Sequence, residues 1–170
     1  MHNCKNMPNY GTEVFMKSFS LSIFLFILIL MVFDPASAAN VGSVKNSEGQ
    51  AWIIRGEAQI PAKAGESLMV NDIMKTDTDG AMGIIMQDDT IISMGPNSRM
   101  VLVDFVFQPE EGRFSMLTRF LKGTFTYISG TIAKLNPESV KVETPVGMVA
   151  IRGTHFLLKI EDHFLLNVEK

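Results

Sequence analysis

The sequence predicts an all-β fold, a single domain of short strands in a sandwich, barrel or roll behind an export signal. Three observations carry that expectation. From Val41 onward apolar residues recur with a period of two, in runs of about four to eight residues. Gly, Pro, Asn and Asp break these runs at intervals of about ten residues, the spacing of turns in sandwiches and barrels. No segment after the first 38 residues carries a long helical stripe, and no stretch between runs can hold the crossover helices of a parallel α/β sheet.

The N-terminus reads as an address. Leu21 to Phe33 is an uncharged apolar run, preceded by Lys17 and followed by Ala36-Ser37-Ala38. These are the positive, apolar and small-residue parts of a secretory signal, with cleavage expected after Ala38. The rival reading is an uncleaved anchor. Thirteen helical residues cover roughly 20 Å, short of the roughly 30 Å hydrocarbon core, so no stable membrane span is expected after processing. Fifteen residues precede Met16-Lys17, which makes Met16 a candidate start. The division is therefore 1–38 for the signal peptide and 39–170 for the domain, placed in the periplasm or outside the cell.

Removing residues 1–38 takes away Lys5, Lys17, Glu13 and Asp34, leaving 13 bases against 16 acids. That balance argues against a nucleic-acid partner. Cys4, the sole cysteine, leaves with the signal, so neither a disulfide nor a thiolate zinc site is expected. The remaining 132 residues are enough to form a stable core without a covalent staple.

The expected strands are Ile53-Ile54, Met82 to Met86, Ile91 to Met94, Met100 to Phe107, Phe125 to Ile128, Val140 to Val142, Met148 to Ile151 and Phe156 to Ile160. Phe114 to Leu121 fits helical spacing at Phe114, Leu117 and Leu121. It equally suits a strand with a bulge near Gly123, and its aromatic residues favour the strand. Asp77-Thr78-Asp79-Gly80 reads as a turn, Gln87 to Thr90 as a tight hairpin, and Gly95-Pro96-Asn97-Ser98 as a further turn.

Several of these pieces together resemble the FecR-domain family of exported signalling and binding modules. They are Ala64 to Leu68, Asn71 to Thr76, the strand-turn-strand around Asp88-Asp89-Thr90, and Gly95 to Ser98. Leu121 to Phe125, Val142-Glu143-Thr144-Pro145 and Ile151-Arg152-Gly153-Thr154-His155-Phe156 complete the set. The resemblance spans roughly 41–161, and Thr144-Pro145 followed by Arg152-Gly153-Thr154 is its most specific part. It implies roll-like or solenoid-like stacking of strands in a protein working outside the cytoplasmic membrane. Best-known members join such a domain, through a membrane helix, to a cytoplasmic segment controlling a sigma factor. Only about twenty residues precede the apolar run here, so direct control of transcription is not expected to carry over. Asp89 stands where the family commonly has Gly, and Asp tolerates the positive φ the turn requires.

Each candidate site has a structural reading beside the functional one. Arg152 could present its guanidinium to a ligand acid. The preferred role is structural, with Gly153 at a bulge and Arg152 paired to Asp72 or Asp104. Thr144, Pro145 and Thr154 are likewise read as fold determinants. Trp52 is a candidate stacking surface for a sugar, although packing in the core beside Ile54 is preferred. Glu110, Glu111 and Arg113, in the polar insertion Gln108 to Arg113, are candidate ligand contacts, because polar loops on a rigid β scaffold commonly carry recognition. The methionine-rich strands are read as flexible core filling.

Catalytic and metal chemistry find little support. With Gly80 at position six of a calcium loop, position one would be Lys75 and position twelve Met86. His155 and His163 fall on opposite faces of an expected hairpin and cannot share a metal. The pairs Asp88-Asp89, Glu110-Glu111 and Glu161-Asp162 sit at expected turns, where solvated carboxylates are the ordinary outcome. There is no G-x-S-x-G elbow and no glycine-rich phosphate loop. No cofactor and no enzyme activity are expected. The favoured function is a non-catalytic binding or sensory module of the bacterial envelope, with an envelope protein or an extracellular ligand as partner. A glycan-binding or glycan-active module and a structural envelope component are the alternatives.

Overall fold

The computed structural model describes residues 40–150 and 155–161. The described residues all belong to one compact unit, Ala38–Lys170. In chain order the strands are β1 (Asn40–Glu48), β2 (Ala51–Arg55), β3 (Ala58–Pro61), β4 (Ser67–Met69), β5 (Ile73–Thr76) and β6 (Ala81–Met86). Next come β7 (Ile91–Met94), β8 (Arg99–Gln108), β9 (Arg113–Ile128), β10 (Val140–Thr144), β11 (Gly147–Ala150) and β12 (His155–Ile160). One short helix, α1 (Thr131–Leu135), follows β9.

The twelve strands form one curled sheet, almost wholly antiparallel, and β9 is its spine. The first half of β9 pairs with β8 on one side and, in parallel, with β10 on the other. Its second half pairs with β7 and β12. One layer therefore runs β4-β1-β6-β7-β9-β12, and the second runs β3-β2-β5-β8-β9-β10-β11.

The layers face each other because β9 turns a corner. Tyr127 lies eleven residues beyond Met116 on the same strand, roughly 36 Å if extended. Its hydroxyl nevertheless reaches Met116 Sδ at 3.1 Å. Phe120 and Phe125 meet across the bend with ring centroids 4.4 Å apart. The corner is at Gly123, with φ 105°, where a Cβ would lie 2.1 Å from Ser98 Oγ. Just before it, Lys122 pairs with Arg99 and Phe120 with Met100, so Leu121 is an extra residue. Such a bulge increases local twist and prepares the bend. The sequence expectation of a bulge near Gly123 is met by this pair of features.

Strict alternation explains the core. Met82, Ile84 and Met86 on β6, Ile92 and Met94 on β7, and Phe125 and Tyr127 on β9 point inward from the first layer. From the second layer come Ile53, Met74, Met100, Leu102, Met116, Phe120 and Val142. A further bulge at Val103 switches the inward parity of β8 from Met100 and Leu102 to Phe105. Each large side chain buried this way contributes roughly 1.5–3 kcal/mol.

The helix α1 was not expected. At five residues it is too short to show a helical period, and it forms because the chain beyond β9 is anchored from outside. The buried Asp88 carboxylate accepts from Ile132 N at 3.2 Å, and its carbonyl accepts from Thr131 N at 2.6 Å. Ile132 then enters the core.

Candidate functional site

The hairpin β10–β11 is built around the Thr-Pro motif. Thr144 pairs with Gly147, leaving Pro145 and Val146 as a two-residue loop. Thr144 Oγ1 donates to the Gly147 carbonyl at 2.9 Å, and Gly147 has φ 147°. Thr144 thus closes a turn, and Pro145 restricts the loop backbone. The same turn projects apolar surface. Val146 is 92 % exposed, Met148 60 % and Val149 45 %. Val142 holds the base of the hairpin in the core, and Arg119 Nε donates to Glu143 Oε2 at 2.6 Å to tie β10 to β9. Among the described residues β11 pairs with β10 alone, and no described strand lies along its other edge. The run from Val146 to Ile151 lacks a polar face, which in sequence reads as a buried strand and concealed this exposed edge.

Arg152, Gly153 and Thr154 lie outside the described residues, as does His163. The two acids expected to pair with Arg152 have other partners. Asp72, fully buried, accepts from Arg55 Nε at 2.9 Å and from Arg55 Nη2 at 2.7 Å, and also from Met69 N at 2.8 Å. The hydrogen bond to Asp72 holds the Arg55 guanidinium above its ordinary range, outweighing desolvation. Asp104 accepts from Ser115 Oγ on the facing strand.

The expectation of solvated acid pairs fails at Asp88. This carboxylate is buried and accepts from Thr90 N at 3.1 Å, Thr90 Oγ1 at 2.8 Å and Ile132 N. An aspartate two residues before a threonine is a hydrogen-bonded turn signal, and the turn here is roofed by α1. Asp89, next to it, has φ 66°, the positive value the turn requires. Both buried carboxylates are saturated by donors, an arrangement that positions backbone rather than attacks a substrate.

Glu110, Glu111 and Arg113 occupy the exposed tip of the β8–β9 hairpin. Pro109–Glu111 form a single 3-10 turn closed by Gly112 N donating to the Pro109 carbonyl at 3.2 Å. Arg113 Nη1 sits 3.2 Å from Glu111 Oε2, both side chains well solvated. Such a solvated pair contributes little to stability.

Trp52 is not in the core. Ala51 and Ile53 are the buried residues of β2, so the period of two places Trp52 and Ile54 on the outward face, half-buried. Trp52 Nε1 donates to Asp77 Oδ2 at 3.1 Å, and Asp77 Oδ1 lies 2.8 Å from Lys75 Nζ.

Among the described residues no three His, Cys, Asp or Glu side chains converge to hold a metal ion, and no helix is long and apolar enough to cross a membrane. No curated protein and no solved structure matches the chain. The family model described as FecR protein matches residues 72–170, from the buried Asp72 onward. Strands β1 to β4 and the Ala64 to Leu68 segment precede the matched part. The match takes in β5 to β12 and covers more than half of the sequence, so the chain belongs to the FecR family, and with it to proteins of envelope signalling and regulation.

Proposed function

We propose that this domain is a non-catalytic binding or sensory module, periplasmic or secreted, that signals by contact with another envelope protein. The observation that carries the reading is the β10–β11 hairpin, which lies within the family match and exposes Val146, Met148 and Val149 beside an open strand edge. An extended segment of a partner adds to β11 through main-chain hydrogen bonds, and the apolar side chains of the hairpin give the contact its selectivity. A well-placed apolar anchor supplies most of the energy of such a contact.

The test is a photoreactive residue at position 146 of the protein in living cells, with the same group at Leu157 on β12 as an exposed apolar control. The reading expects one envelope protein to be captured at 146 and not at 157, with capture lost in Val149→Asp. Equal capture at both positions, or none at 146, contradicts it.

A further inference from the structure

A row of side chains crosses the second layer in register. Trp52 on β2 is opposite Lys75 on β5, Lys75 is opposite Arg99 on β8, and Arg99 is opposite Lys122 on β9. Each step is one strand spacing, about 4.8 Å, so three cations and an indole fall within roughly 15 Å. Arg99 and Lys122 are exposed, and Trp52 and Lys75 are half-buried on the same outward face.

Like charges directly opposite one another on neighbouring strands repel. The domain carries more acids than bases after residue 38, so composition alone does not put three bases in line. Asp77 neutralises one end and does so in a way that shapes the surface. Its two oxygens take the Lys75 ammonium at 2.8 Å and the Trp52 N–H at 3.1 Å, which fixes the plane of the indole. Arg99, at the centre, makes no ion pair among the described residues. Its planar fork is suited to a carboxylate, while an indole face is suited to the apolar side of a pyranose ring. Trp52 and Arg99 are two strands apart, about 10 Å, the reach from one sugar ring to the acid group of a neighbouring sugar.

We infer that the row Trp52–Lys75–Arg99–Lys122 is a binding site for an acidic saccharide, with one sugar ring stacked on Trp52 and a carboxylate held by Arg99. The site lies on strands remote in sequence from the β10–β11 hairpin and stands or falls independently of the protein contact proposed there.

Trp52 is the sole tryptophan of the chain, so its fluorescence reports this site alone. The mature protein is titrated with tetragalacturonate and, separately, with neutral cellotetraose. The expected result is a saturable change with tetragalacturonate that weakens with added salt. Arg99→Gln should weaken binding at least tenfold, with a melting temperature unchanged or raised because a like-charge neighbour has gone. A fluorescence change with cellotetraose of equal affinity, unaltered binding in Arg99→Gln, or no response to tetragalacturonate overturns the assignment. So does a response confined to phosphatidylglycerol vesicles, which would make the row a lipid-facing surface.

Discussion

Arg55 grips Asp72 through two parallel hydrogen bonds, Nε to Oδ1 at 2.9 Å and Nη2 to Oδ2 at 2.7 Å, and the same Nη2 donates to the Ser67 carbonyl at 2.8 Å. One guanidinium therefore joins β2 to the β4–β5 connection, where the chain passes from one layer to the other. Arg55→Ala leaves a buried carboxylate with the single donor Met69 N. The expected loss is about 2–3 kcal/mol, the cost of stranding a charged acceptor after discounting for the partly exposed arginine. In thermal unfolding that corresponds to a fall of roughly 10 °C. A change under about 2 °C would show that the clasp is not structural.

Gly123 makes the corner of β9, and Gly112 makes the β8–β9 tip; both have positive φ, at 105° and 64°. Their surroundings differ. A Cβ at Gly112 meets nothing within 4 Å, whereas one at Gly123 collides with Ser98 Oγ at 2.1 Å and Ser98 Cα at 2.5 Å. Gly112→Ala should cost only the left-handed backbone penalty, about 1–2 kcal/mol. Gly123→Ala should cost about 3 kcal/mol or more, or prevent folding, since the buried Ser98 backbone must move as well. Denaturant melts of both variants check the ranking, and equal losses would contradict the corner assignment.

Tyr127 gives the domain an alkaline limit. Burial pushes its hydroxyl up from 10.0 to about 12, with Asp88 adding to the rise and the neighbouring Thr90 side chain opposing it. The folded state disfavours the phenolate, so this stability is complete below about pH 10 and is lost as pH rises from 10 towards 12. The loss approaches about 3 kcal/mol. Tyr127 is the sole tyrosine after residue 38, so its absorbance titration is unambiguous. Tyr127→Phe should flatten the fall in stability over that interval, and an identical pH profile in both proteins would refute the link.

Thr118 Oγ1 is buried on β9 without a hydrogen-bond partner among the described residues. Thr118→Val removes an unsatisfied hydroxyl at nearly constant volume and should stabilise the domain by about 1 kcal/mol. A melting temperature lowered by the substitution would mean that the hydroxyl has a partner in solution.

The strands were legible where alternation is clean. Met82 to Met86, Ile91 to Met94 and Met100 to Phe107 fall within β6, β7 and β8, and the Asp77–Gly80 turn closes with Gly80 N on the Asp77 carbonyl at 3.0 Å. Phe114 to Leu121 is strand, as its aromatic content indicated. The short β3 and β4 escaped because three or four residues carry too little pattern, and β1 escaped at nine residues because its second half, Lys45 to Glu48, is polar throughout. Trp52 was misplaced because residue type favours burial while parity with Ile53 decides the face. Long-range partnerships were hidden altogether: the Arg55–Asp72 clasp and the Asp88 roof over α1 join residues 17 and 44 apart. Local sequence carries no record of such pairings.

The proposed recognition edge is tested most directly by hydrogen exchange of the β11 amides that point away from β10, measured in the purified domain from residue 39 onward and again in washed envelope from its own cells. Rapid exchange is expected in the isolated domain and marked slowing in the envelope. Exchange that is already slow in isolation, or that is unaltered by the envelope, would contradict it.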